Sequence, residues 1–169
     1  MRPIFLFLIL LLGFIVQATI FVQKPFSWIQ PTLTVILILF TAYYRGQLLA
    51  MILGILVGLI QDIVYGSIIG MHMFSLGATG YFAGSMFRVF LNRSLIMLML
   101  MILGFSAAYE FINYGIAVIF GRISVDLLAV LTHAVRLMIF NGVFALILYP
   151  FADRWLPADE KWGMGEEYL

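Results

Sequence analysis

The chain has 169 residues, of which 64% are hydrophobic and 10% charged, a proportion that excludes a soluble domain and points to an integral membrane protein. Nine Lys and Arg against eight Asp and Glu give a net charge of +1, which argues against a nucleic-acid surface. With no cysteine, disulfides, iron–sulfur clusters and thiolate metal sites are excluded.

Apolar runs, divided at charges, prolines and glycine turns, predict an all-α bundle of six transmembrane helices. The first runs from about Ile4 to Val22, between Arg2 and Lys24, and continues without the small-x-small site of a cleaved signal. The second begins near Pro31 and ends at Tyr44. Its uninterrupted part, Thr32 to Tyr44, rises only ~20 Å, short of a ~30 Å hydrocarbon core. Either it starts near Phe26 and kinks at Pro31, or it is a short helix sheltered by protein. The third runs from about Gln47 to Tyr65, and the fourth from about Gly70 to Arg88. The fifth spans Leu95 to about Phe120, and the sixth Leu127 to Tyr149, where Pro150 is expected to stop it. Residues 1–152 thus form one membrane domain, and residues 153–169 a short polar tail with Trp155 and Trp162 as interface anchors.

With the N-terminus inside, the cytoplasmic span ends hold Arg2, Arg45, Arg88, Arg93, Arg154 and Lys161, and the outer ends only Lys24 and Arg122. That bias places both termini in the cytoplasm. Every loop is short, so no soluble domain is expected on either side.

Four charges fall within spans or at their ends: Asp62, Glu110, Asp126 and Arg136. Asp126 suits the cap of span six. Asp62, Glu110 and Arg136 share the outer half of the bilayer with Gln61, Tyr65, Tyr109, Asn113 and His133. The expected cluster is Gln61, Glu110, Asn113, His133 and Arg136, with Glu110 paired to Arg136 across spans five and six. It either lines a ligand cavity or receives a partner, or it is a structural ion pair locking the bundle. For Asp62 the alternatives are hydration through local thinning of the membrane or a partner-facing role.

A small or acidic residue recurs at every fourth position through Gly54, Gly58, Asp62, Gly66 and Gly70. Each step drifts ~40° around a helix, so Gly54, Gly58 and Asp62 share a face while Gly66 and Gly70 read as turn residues. Gly77, Gly80 and Gly84, with Ser85, supply a second small set on span four. Either spans three and four pack together, or the face is a groove for a foreign helix. Catalysis finds little support, a lipid-modifying enzyme having the weakest basis: there is no His-rich metal spacing, G-x-S-x-G elbow or phosphate loop, Ser85, Ser94 and Ser106 have no evident base, and no cofactor is implied.

The run PTLTVILILFTAYYRGQLLAMILGILVGLIQDIVYGSIIGMHMFSLGATGYFAG resembles the MreD family of bacterial rod shape-determining membrane proteins. The Gly54-x3-Gly58-x3-Asp62-x3-Gly66-x3-Gly70 pattern, Gly80-Tyr81, Glu110-Phe111 and the late Arg136, Asn141 and Pro150 carry the resemblance. It implies a multi-pass, non-enzymatic scaffold of the cytoplasmic membrane in the cell-elongation machinery. It also implies binding to MreC, a single-span protein, and indirect partnership with MreB, RodA and a class B penicillin-binding protein in peptidoglycan synthesis. Self-association into a homodimer stays open. The family is similar in fold to the S components of energy-coupling-factor vitamin transporters, which makes solute binding the alternative. Span one departs from many S components in lacking their A-x-x-x-A docking pattern, having only Gly13 and Ala18.

Overall fold

The computed structural model describes residues 3–20, 32–65, 68–89, 94–121 and 126–155. Among them the chain folds into six helices and no strand: α1 (Pro3–Ile20), α2 (Leu33–Arg45), α3 (Gln47–Tyr65), α4 (Met71–Val89), α5 (Leu95–Ile119) and α6 (Leu127–Trp155). Three stretches, Gln47–Tyr65, Leu95–Ile119 and Leu127–Ala152, are long and apolar enough to cross a membrane. Of the expected positions, Gly66, the charges Arg2, Lys24, Arg93, Arg122 and Lys161, and Trp162 lie outside the described residues.

The short second helix is the axis of the bundle. α2 touches each of the other five helices. Its Val35, Ile36, Ile38, Leu39, Phe40 and Ala42 are completely enclosed. The described part of this segment is thus sheltered by protein, and the expected alternative start near Phe26 lies outside the described residues. It passes into α3 through the single residue Gly46, whose φ of 94° suits glycine and whose N–H donates to the Ala42 carbonyl at 3.1 Å.

Outside this axis the helices pair. α3 and α4 lie against each other along their length, α5 and α6 form a second pair, and α1 rests on α2 and α3. Ser94 starts α5 by accepting the Met97 N–H at 3.1 Å. The outward faces are largely apolar, including Leu8 and Leu12 of α1, Ile52 and Leu56 of α3, and Val135 and Ile139 of α6.

Span six departs from expectation. α6 runs through Pro150 to Trp155, past Tyr149, where the proline was expected to stop it. Proline removes one N–H and crowds the carbonyl four residues back, here Leu146. Both Pro150 and Leu146 lie on the exposed side, where the helix can open, while Ala152 beyond them is buried in the core and holds the last turn in place.

Candidate functional site

Gly54, Gly58 and Asp62 make one continuous contact between α3 and α4. A Cβ at Gly54 would stand 2.6 Å from the Leu76 carbonyl oxygen, and one at Gly58 2.5 Å from Met73 Cα. From the other side, a Cβ at Gly80 would meet the Ala50 oxygen at 2.7 Å, and Gly84 abuts the backbone of Gln47. Gly77 faces a side chain instead, with Ile55 Cγ1 at 2.8 Å. The two backbones approach closely because neither carries a side chain at the crossing points. The face that could have formed a groove for a foreign helix is filled by α4.

Asp62 closes the end of this contact at which α4 begins. It is 0% exposed. Its Oδ2 accepts the N–H groups of Gly70 at 2.9 Å and Met73 at 3.1 Å, and its Oδ1 accepts that of His72 at 2.9 Å. These are the unpaired donors at the start of α4, where the helix dipole also favours negative charge. Asp62 therefore faces neither membrane-thinned water nor a partner; the α4 backbone supplies its counter-charge. Gly70, at φ 101°, makes the turn that brings those donors round.

A second polar group surrounds the start of α2. The Thr32 hydroxyl makes no capping bond. Instead, the Thr32 N–H donates to Asn141 Oδ1 of α6 at 2.8 Å, and the Thr34 N–H to Gln17 Oε1 of α1 at 3.3 Å. Asn141 Nδ2 then donates to Ser106 of α5 at 2.9 Å, and Gln61 Nε2 of α3 to the Thr34 hydroxyl at 2.9 Å. Side chains from four neighbouring helices converge on one buried helix end.

The polar residues expected to cluster make several separate hydrogen bonds. Gln61 serves α2, Asn113 accepts from the Ser75 hydroxyl at 2.8 Å, and His72 Nδ1 lies 3.0 Å from the Tyr109 hydroxyl. Glu110 Oε1 is 2.9 Å from His133 Nδ1, a contact that joins α5 to α6. Arg136 lies one turn further along α6, on its exposed side, and acts electrostatically on His133. Asp126 caps α6 by accepting the Ala129 N–H at 3.1 Å.

Sequence reasoning did not single out Gln17, Thr34 or Ser75, and set Ser106 aside for want of a catalytic base. Their signal is an amide or hydroxyl inside an apolar run, which costs free energy unless it is bonded. Among the described residues no group of three or more His, Asp or Glu side chains is arranged to hold a metal ion.

Fold and site together define a class: an all-helical membrane bundle whose buried polar residues join its own helices. The model of the rod shape-determining protein MreD family matches residues 1–156, and the chain belongs to that family. It is accordingly a bacterial membrane protein with a role in determining rod shape. Comparison with the curated proteins and with solved structures yields no significant match.

The contact geometry ranks glycine substitutions. A Cβ at Gly13 meets only the flexible tip of Leu37, whereas one at Gly58 meets the α4 backbone. Gly58→Ala is expected to lower stability by ~1–3 kcal/mol, the scale of overpacking, and Gly13→Ala by less. Thermal unfolding of the purified variants in detergent checks this; equal losses would contradict the backbone contact.

Proposed function

We propose that this protein is a non-catalytic scaffold of the cell-elongation machinery, crossing the bacterial cytoplasmic membrane six times in an S-component-like arrangement with both termini in the cytoplasm. It holds MreC and, through it, helps position lateral peptidoglycan synthesis beside MreB, RodA and a class B penicillin-binding protein. The observation that carries the reading is membership of the MreD family over residues 1–156. The use of the buried polar groups supports it. Gln61, Asn113, Asn141 and Asp62 are bonded to other helices of the same chain, which suits a body that presents a surface rather than one that encloses a solute.

Depletion in a rod-shaped host is expected to give round or swollen cells, and the purified protein to retain MreC in detergent. Unchanged shape together with no retained MreC would overturn the scaffold reading. A co-purifying small molecule in native mass spectrometry would favour the solute-binding alternative.

The orientation has its own test, because the chain contains no cysteine. Ile69, between α3 and α4, and Val89, at the end of α4, are both well exposed. A membrane-impermeant maleimide added to intact spheroplasts is expected to label Ile69→Cys and to spare Val89→Cys. The reverse pattern would invert the topology.

A further inference from the structure

The helices differ in how they end. α2, α4 and α6 each carry an arginine in the last turn, Arg45, Arg88 and Arg154, whereas α1, α3 and α5 carry no basic residue there. Arg45 interacts within its own chain. Arg88 and Arg154 are exposed and make no hydrogen bond or ion pair among the described residues.

The surface beneath these two arginines is not the same. On the side of α4 below Arg88, Gly84 abuts the backbone of Gln47, and the Ser85 hydroxyl donates to Gln47 Oε1 at 2.7 Å. That side is filled by α3. Below Arg154, Val143, Ile147 and Phe151 recur every four residues and are 49%, 57% and 60% exposed. Each such step drifts ~40° around the helix, and Arg154, three residues past Phe151, falls back between Val143 and Ile147. An open apolar lane therefore runs along α6 and ends under a guanidinium.

The dimensions of the lane match one leaflet. From Val143 to Arg154 the helix rises ~16 Å, about half of a ~30 Å hydrocarbon core. The apolar stretch of α6 ends at Ala152, so the guanidinium stands at the level of the headgroups. The opposite end of α6 carries the other sign, with Asp126 as its cap beside exposed Leu127 and Leu128.

Charge and shape together give the occupant. A guanidinium presents donors in a fork that fits two phosphate oxygens at once. A zwitterionic headgroup brings its own cation to its phosphate, whereas an anionic one leaves that charge to the arginine. Free phosphate or an acidic peptide would match the guanidinium but leave the apolar lane without a complement. A phospholipid supplies both parts.

We propose that Arg154, with Val143, Ile147 and Phe151, forms a site for an anionic phospholipid, the phosphate on the guanidinium and an acyl chain along the exposed side of α6. This goes beyond the scaffold reading and needs from it only that α6 crosses the membrane.

Trp155 follows Arg154 and becomes the only tryptophan once Trp28→Phe and Trp162→Phe are made. Full-length protein with these two changes is reconstituted in mixed phosphatidylcholine and phosphatidylglycerol vesicles, with bromine on the acyl chains of one lipid or the other, and quenching of Trp155 is read. Phosphatidylglycerol is expected to occupy the site about fivefold more readily than phosphatidylcholine, the scale of one basic residue at an anionic surface. Arg154→Gln should bring the two lipids to parity, and Arg88→Gln should keep the preference. Parity in the unsubstituted protein, or equal loss in the two arginine variants, would overturn the proposal. So would loss of the preference in sodium phosphate but not in sodium chloride of equal ionic strength, which would assign the arginine to free phosphate. A preference that emerges only after removal of residues 156–169, with Asp159, Glu160, Glu166 and Glu167, would assign it to the acidic tail and overturn the proposal as well. Equal quenching by both lipids leaves the crossing of α6 standing, whereas no quenching by either would overturn that crossing along with this site.

Discussion

The constraint on which the rest of the structure depends is the burial of α2. A helix of 13 residues, enclosed on all sides, begins inside the bundle rather than in water. The first N–H groups of any helix have no partner within it, and an unpaired buried donor costs about 1–3 kcal/mol. Thr32 does not cap its own helix, so the donors must come to terms with other helices. Gln17 and Asn141 accept them, Ser106 fixes the Asn141 amide, and Gln61 bonds the Thr34 hydroxyl. One unsatisfied helix end thus sets the register of α1, α3, α5 and α6 around α2.

The α3–α4 contact obeys the same rule by a different route. Lipid tails are as apolar as leucine, so helix association in a membrane depends on close packing and hydrogen bonds rather than on hydrophobic burial. Glycines at Gly54, Gly58, Gly80 and Gly84 let the two backbones meet, and Asp62 supplies acceptors for the donors that begin α4. Both devices use polar or small residues to join parts of one chain. Against this closed interior the half-exposed Glu110–His133 pair stands apart, because its surface faces outward from the bundle.

The helices were largely legible in the sequence because charges and glycines bound them. Gln47–Tyr65 is α3 from end to end, since Arg45 precedes it and the chain turns at Gly70. The glycine face was legible too, because a step of four residues drifts little around a helix. The target of Asp62 was not. Backbone N–H groups leave no mark on the sequence, so a carboxylate that serves them looks as though it lacks a partner. That Glu110 Oε1 meets His133 depends on the register of α5 against α6, which the spacing within α6 alone does not give. The continuation of α6 past Pro150 was hidden for a similar reason, since Ala152 is held by tertiary packing.

The measurement closest to the central claim is amide hydrogen exchange across residues 32–36, compared between the native protein and Asn141→Leu, a substitution that keeps volume and removes the acceptor. Loss of a buried acceptor at about 1–3 kcal/mol corresponds to exchange faster by roughly 5- to 160-fold at the start of α2. The account predicts that acceleration at the start of α2, with the α3–α4 contact around Gly54 and Gly58 still protected. Unchanged protection at residues 32–36 would contradict it.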